Sequence, residues 1–523
     1  MKKGQMKNLK PVTMIVVVAL LLAAALLSNY AQAQTTTQQR PRYGGTLRIC
    51  NLGADGISVG YPPKLLRAQS NRIAGAAIET LIHSDKTGKP VPWLATGFKE
   101  DAKAKSITLT LRKGVKFHDG TDFNAEAVKW NLSQCMSAKN PGTEKFKSID
   151  MIDDYTVRIN LTEWDSTVIN NLTQTIGLMI SPTAYNKNGE AWCASHPVGT
   201  GPFQFVSWQK DVRWTFSKFD GYWQKGKPYL DRIEFIIITD SVTQELSFRA
   251  KELDLWLTMT PKAIPALEKE SYGITRGKPG SGAYGLIPDS ANPKSPWADV
   301  RVRQAAQYAM DTEAIVKGLF FGEHEPANQY IYKRHWGYNP SVVGYPYHPT
   351  KAKQLLSEAG YPNGFKTKLF CISDPEINKP YIAAQGYLKA VGIDAEVELF
   401  QQGKLVELAY GGKWEGLLVN SISPNPDVVA TLATKYSGDN YKSMLLPDDY
   451  LKAIQNAIIA PDFEMKQKWT QEVMKLMVDK YCLQMMIYSP TDFAVAQTYV
   501  RNHGFNETPN TGLWTPEDAW MDR

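Results

Sequence analysis

Residues 101–136, DAKAKSITLTLRKGVKFHDGTDFNAEAVKWNLSQCM, change hydrophobic period part-way, and that change limits the fold more than any other feature of the chain. Ile107, Leu109 and Leu111 alternate with Thr108, Thr110 and Arg112, the period of two expected of a half-buried strand. Val115 and Phe117 carry the pattern beyond Gly114. Asp119-Gly120 then supplies a turn, and Asn124 stands where a helix N-cap belongs. After it, Val128, Leu132, Cys135 and Met136 fall at i, i+4, i+7 and i+8 and form one apolar helix face. A strand, a glycine turn and a capped amphipathic helix in immediate succession predict an α/β chain, but assign it no activity.

The N-terminus predicts a destination. Lys2, Lys3, Lys7 and Lys10 precede an apolar run over residues 14–27, and Ala31-Gln32-Ala33 offers the small residues that a signal peptidase reads. The run has 14 residues, short of the roughly 18–20 needed to span a bilayer as a helix. Residues 1–33 therefore read as a cleavable secretory signal, and residues 34–42 as a disordered polar leader. No Cys closely follows the run, Cys50 being the first, so a periplasmic, non-lipidated protein is the expectation. Loss of residues 1–33 removes four Lys and no acid, which lowers the net charge from +7 to +3. A nearly neutral chain with interspersed charges has no basic stripe for nucleic acid.

Cys50, Cys135, Cys193, Cys371 and Cys482 share no metal-ligand spacing. In an oxidising compartment one or two disulfides are possible, Cys135 with Cys193 being the favoured pair. The seven His are dispersed; His324, His335 and His348 come nearest to a group, yet at gaps that no helix or hairpin closes, so no metal site and no cofactor is expected. Gly280-Ser281-Gly282-Ala283-Tyr284-Gly285 matches G-x-G-x-x-G. Leu286, Ile287 and Pro288 continue it as extended chain, however, whereas a dinucleotide loop must open a helix. A crossing between lobes is the better reading.

Further on, Tyr155, Val157, Ile159 and Leu161 alternate as another strand, and residues 71–81 read as a helix. From Trp297 the pattern turns to helices alternating with strands. Asp299, Asp311 and Thr350 are N-cap candidates, residues 366–371 and 395–400 flank a helix over 379–391, and further helices are expected over 448–460 and 462–479. Trp469, Val473, Leu476 and Met477 mark the inner face of the last.

Three passages carry a resemblance. LTLRKGVKFHDGTDFNAEAV, Pro197-Val198-Gly199-Thr200-Gly201-Pro202-Phe203, and Asp299-Val300-Arg301-Val302-Arg303-Gln304-Ala305 with Tyr308-Ala309-Met310-Asp311 resemble the signatures of the extracellular solute-binding proteins that serve peptide, nickel and related ABC transporters. The resemblance extends over nearly all of residues 43–523. It implies a two-lobed, Venus-flytrap α/β fold with mixed sheets. The first lobe would comprise residues 43–59, an inserted subdomain over 60–180, residues 181–284 and a C-terminal return over 487–523. The second would span 285–486, with hinge crossings near Tyr284 and Ile487. The implied partners are a small-molecule or peptide ligand and an inner-membrane permease complex, with the protein a monomer.

Peptide-binding relatives carry an Asp four residues before a Pro, which pairs with the peptide ammonium. Here the corresponding loop reads Asn420-Ser421-Ile422-Ser423-Pro424-Asn425-Pro426-Asp427. If Pro426 is that Pro, the anchor position holds Ile422. A buried ammonium without a carboxylate costs several kcal/mol, so either Asp427 takes over as anchor or it merely caps the next helix. Trp256, Tyr284 and Trp414 are candidate aromatic cleft walls; each could equally belong to a core. An oligopeptide or peptide-like solute heads the ligand expectations, an oligosaccharide or other polar organic solute comes second and a nickel complex third. A secreted hydrolase is the rival from another class, although the chain lacks H-E-x-x-H and Walker signatures.

Overall fold

The computed structural model describes residues 40–50, 58–65, 68–278, 282–420, 427–438, 440–509, 514 and 516–523. The predicted signal segment and Ile422 lie outside them. From Tyr43 onward the chain is one compact unit, and its described residues build three larger sheets.

The first sheet runs in the order Phe203–Gln209, Arg213–Lys218, Arg232–Ile236, Thr46–Cys50, Leu255–Thr258, Asp492–Ala496, Gly273–Gly277. Thr46–Cys50 is parallel to both of its neighbours. A four-stranded antiparallel sheet of Ala95–Asp101, Ser106–Leu111, Thr156–Leu161 and Phe146–Asp153 forms the subdomain. The alternation read from the sequence is realised here: Ile107, Leu109 and Leu111 are buried, and the helix Ala125–Ser137 begins at Asn124, whose side chain accepts from Ala127 N.

Two signature passages clasp each other inside this first lobe. The amide of His118 donates to Gly199 O at 2.9 Å and its ring is hydrogen-bonded to Gly201 O at 2.9 Å. A Cβ on Gly199 would lie 2.2 Å from Ala77 O, so the glycine is demanded by close backbone approach. These passages therefore shape the lobe. The same docking ends the helix expected over 71–81. The amides of Gly201 and Phe203 donate to Ala77 O and Ala76 O, so the helix stops at Ala74 and Glu79–Thr80 pairs as a strand.

The second lobe holds the sheet Glu325–Pro326, Met485–Ser489, Tyr284–Pro288, Leu417–Asn420, Phe365–Ile372, Ile393–Phe400. Parallel pairing occurs where a helix, Pro375–Ala390, crosses between Phe365–Ile372 and Ile393–Phe400. The caps at Asp299 and Asp311 follow expectation, His348 replaces Thr350 as a cap, and Asp462 caps the helix Phe463–Lys475. The expected inner face of this last helical stretch is realised, with Val473, Leu476 and Met477 buried and Trp469 packed against the same core, and the buried side widens to include Lys466, Thr470 and Met474. Gly285 packs against Met485, where a Cβ would lie 2.0 Å from Met485 O, so this glycine of the G-x-G-x-x-G match serves strand pairing.

All five cysteines are buried and none forms a disulfide, which corrects the Cys135–Cys193 pairing. Cys135 lies in the subdomain core and Cys193 in the core of the seven-stranded sheet, each packed among its own apolar neighbours.

The chain crosses between lobes after Gly273–Gly277 and returns between Met485–Ser489 and Asp492–Ala496. Lys278 links both crossings, its ammonium donating to Thr491 Oγ1 at 2.8 Å and Ser489 O at 3.4 Å. The C-terminal return then seals the first lobe, with Trp514 Nε1 donating to Arg72 O at 2.7 Å. Beside it the buried Glu517 carboxyl is pushed up to about 8, chiefly by burial and further by Glu79. A fold that holds this proton loses stability as pH rises from the ordinary carboxyl value of 4.5 through about 8. Glu517→Gln is therefore expected to melt higher than the parent at pH 8, with the gap narrowing toward pH 5, in a thermal-melting series.

Candidate functional site

The lobes meet along the segment 164–171 of the first lobe. Trp164 Nε1 donates to Ala460 O at 2.7 Å, Ser166 N to Ile458 O at 2.8 Å and Ser166 Oγ to Ala457 O at 2.8 Å. The short helix Val168–Asn171 follows, and its Asn170 donates through Nδ2 to Asp427 Oδ2. Asp427 caps the helix Val428–Lys435, accepting from Val429 N at 2.8 Å. Lys466, 2% exposed, lies 2.8 Å from Asp427 Oδ2 and donates to Ser166 O at 2.9 Å. One carboxylate thus ties a helix start, a buried ammonium and a side chain of the opposite lobe. A second bridge joins Trp336 N to Thr87 O at 3.1 Å, with Lys89 Nζ 4.8 Å above the Phe463 ring.

Next to this contact, on the first-lobe side, is a cavity of about 220 Å³. Asn71, Asn140, Asn171, Gln174 and Thr175 supply its polar atoms, and Leu65 and Ile176 part of its apolar wall. Asn71 donates to Thr175 Oγ1, Asn140 to Pro63 O and Asn171 to Gly142 O. That leaves Asn71 Oδ1, Asn140 Oδ1 and Gln174 Nε2 buried without a hydrogen-bond partner. Such groups are costly unless something satisfies them. The arrangement offers acceptors and a donor to a polar solute, and no charged side chain is among its described walls.

A description of the bacterial extracellular solute-binding proteins, family 5, matches residues 89–443. The chain belongs to that family. It is similar to the glutathione-binding protein GsiB of Pectobacterium atrosepticum, 33% identical over 344 residues, which is 64% of this chain and 66% of that protein. The same protein of Salmonella typhi is 34% identical over the same shares. Among solved structures, the periplasmic binding protein DppA of Helicobacter pylori, in complex with the peptide STSA, superposes with a TM-score of 0.69 at 25% identity, over 92% of this chain and 99% of that one. HbpA2 of Haemophilus parasuis superposes with a TM-score of 0.82 at 20% identity, over 92% and 100%. These establish a two-lobed binding-protein fold for this family 5 chain, which spans about two thirds of the length of the curated relatives it matches.

Within the family 5 fold the expected site residues disperse. Trp256 is 2% exposed, donates Nε1 to Gln244 Oε1 at 3.0 Å and packs with Phe248 in a first-lobe core. Trp256→Phe is expected to cost about 1–2 kcal/mol of stability through the stranded amide oxygen, with solute affinity unchanged when both are measured on one preparation. Trp414 is buried in the second lobe, donating to Ile287 O at 3.3 Å, and lines a different cavity. Tyr284 sits by the crossing, its ring 5.4 Å from that of Tyr488. Asp427 is a helix cap and an inter-lobe partner at once. The amides and Lys466 were not anticipated. Asn170-Asn171 inside the apolar run Val168 to Leu172, and Lys466 in register with Thr470 and Val473, were the available signals.

Proposed function

We propose that this family 5 protein is the solute-capturing component of an ABC importer, exported to the periplasm by a signal ending at Ala33, and that as a monomer it delivers a peptide-like solute to a membrane permease. The observation that carries the reading is the cavity of unpartnered amides beside the Ser166, Asn170, Asp427 and Lys466 contact. A solute lodged there satisfies buried polar groups of the first lobe, and the second lobe closes over it through the neighbouring contact. Binding then favours the closed form by its differential affinity for the two states. The relatives named for glutathione and the neighbour holding a peptide support a peptide-like solute, because peptide amides pair with side-chain amides donor to acceptor. An oligosaccharide is the second reading, favoured by the uncharged described walls.

Isothermal titration of ligand-stripped protein with tripeptides, glutathione, their N-acetylated forms and oligosaccharides tests this. The reading expects a peptide-like solute to bind at micromolar Kd or tighter, with N-acetylation tolerated. Binding of oligosaccharides alone would move the assignment to the second reading, and a requirement for a free ammonium would contradict the uncharged site.

A further inference from the structure

A second cavity, of about 620 Å³, lies entirely in the second lobe, away from the inter-lobe contact. Its floor is aromatic: Phe370 and Phe400 stack at 5.7 Å between centroids, and Trp414 forms a wall. Strand alternation places Lys368 on the same sheet face as Phe370, and the helix Gln402–Ala409 contributes Lys404. Lys413 and Lys442 enter from two turns. Four ammonium groups thus ring an apolar floor, against Glu415 as the one acid of the lining. Lys368 and Lys404 are engaged by Glu398 and Glu407 at 2.7 and 2.8 Å. Lys413 and Lys442 have no ion-pair partner among the described residues.

The geometry points to a second ligand site for a small aromatic carboxylate, independent of the solute captured between the lobes. The volume falls in the range of small-molecule sites, which are apolar and aromatic with a few polar anchors. A planar ring lies on Phe370 and Phe400, and its carboxylate faces Lys413 and Lys442, an anion paired with cations left uncompensated. Because no first-lobe residue lines the cavity, this occupant binds whether the lobes are open or closed. The site therefore differs from the cavity beside the inter-lobe contact in its charge, its volume and its aromatic floor.

Titration of the full-length mature protein with 1-naphthoate and indole-3-acetate, followed by ligand-observed NMR, tests the site, with 1-naphthamide as the uncharged control. The expected result is sub-millimolar binding of the carboxylates and binding of the amide at least tenfold weaker. The Lys413→Glu/Lys442→Glu double variant, which changes two turn residues, is expected to weaken carboxylate binding at least tenfold at an unchanged melting temperature. Asn170→Ala, at the inter-lobe contact, is expected to leave it unaltered. No binding of either carboxylate up to 5 mM (on the order of the weakest specific affinities), equal binding of the amide, or carboxylate binding that survives the double variant would each overturn the assignment. Loss of binding in Asn170→Ala would overturn it as well, by moving the ligand to the cleft.

Discussion

Replacing Arg303 with methionine is expected to destabilise the second lobe by about 4 kcal/mol or more, which ranks it among the most damaging single changes available to the chain. Arg303 is 1% exposed. Its guanidinium donates to Trp297 O and Ala298 O at 2.7 and 2.9 Å, to Tyr481 O at 2.8 and 3.0 Å, and to Cys482 O at 3.2 Å. The first two carbonyls precede the helix Val300–Ala309, and the others end the turn that feeds Met485–Ser489. One planar fork thus fixes the opening of the lobe against the strand that returns to the hinge. Methionine fills much of the volume but leaves four carbonyls undonated. Lysine keeps the charge without the fork and is expected to restore less than half of the loss. Urea unfolding of the parent and both variants checks the order: parent, then Lys, then Met.

Asp427→Ala is the second large effect, about 3–5 kcal/mol, because it strands the Lys466 ammonium in a buried site. It also removes the cap of Val428–Lys435 and the acceptor of Asn170. Its cost is divided between two processes. The cap and the ion pair belong to the second lobe alone, so unfolding reports them; the Asn170 bond exists only while the lobes touch, so solute affinity reports it. Asn170→Ala separates the two. It is expected to leave the unfolding midpoint of solute-free protein within experimental error and to weaken solute binding about tenfold, the value of roughly one hydrogen bond to a charged group. A loss of stability in Asn170→Ala as large as in Asp427→Ala would contradict this division.

Local pattern was enough to read much of the fold. The alternation of Ile107, Leu109 and Leu111 and the cap at Asn124 depend on neighbours in the chain, and both elements form where the sequence places them. Where tertiary contacts decide, the reading shifts. The helix expected to run to Leu81 stops at Ala74 because carbonyls 76 and 77 are taken by the Gly199 to Phe203 passage. The buried side of Phe463–Lys475 widens to take in Lys466 because Asp427 and Ser166 satisfy its ammonium there. The candidate site was the least legible part. It brings Asn71, Asn140 and Gln174 together with a contact made by Asn170, Asp427 and Lys466, residues separated by hundreds of positions whose types are ordinary on any surface. Trp256 shows the converse: sequence left it open between cleft wall and core, and in the fold it is buried with its indole N–H held by Gln244.

The central claim is that a solute held between the lobes draws them together. Small-angle X-ray scattering of ligand-stripped protein, before and after addition of the small molecules extracted from natively purified protein, tests it most directly. The account predicts a fall in radius of gyration on addition, and a smaller fall for Asn170→Ala at the same solute concentration. An unchanged radius in the parent, with the solute shown to be bound, would contradict it.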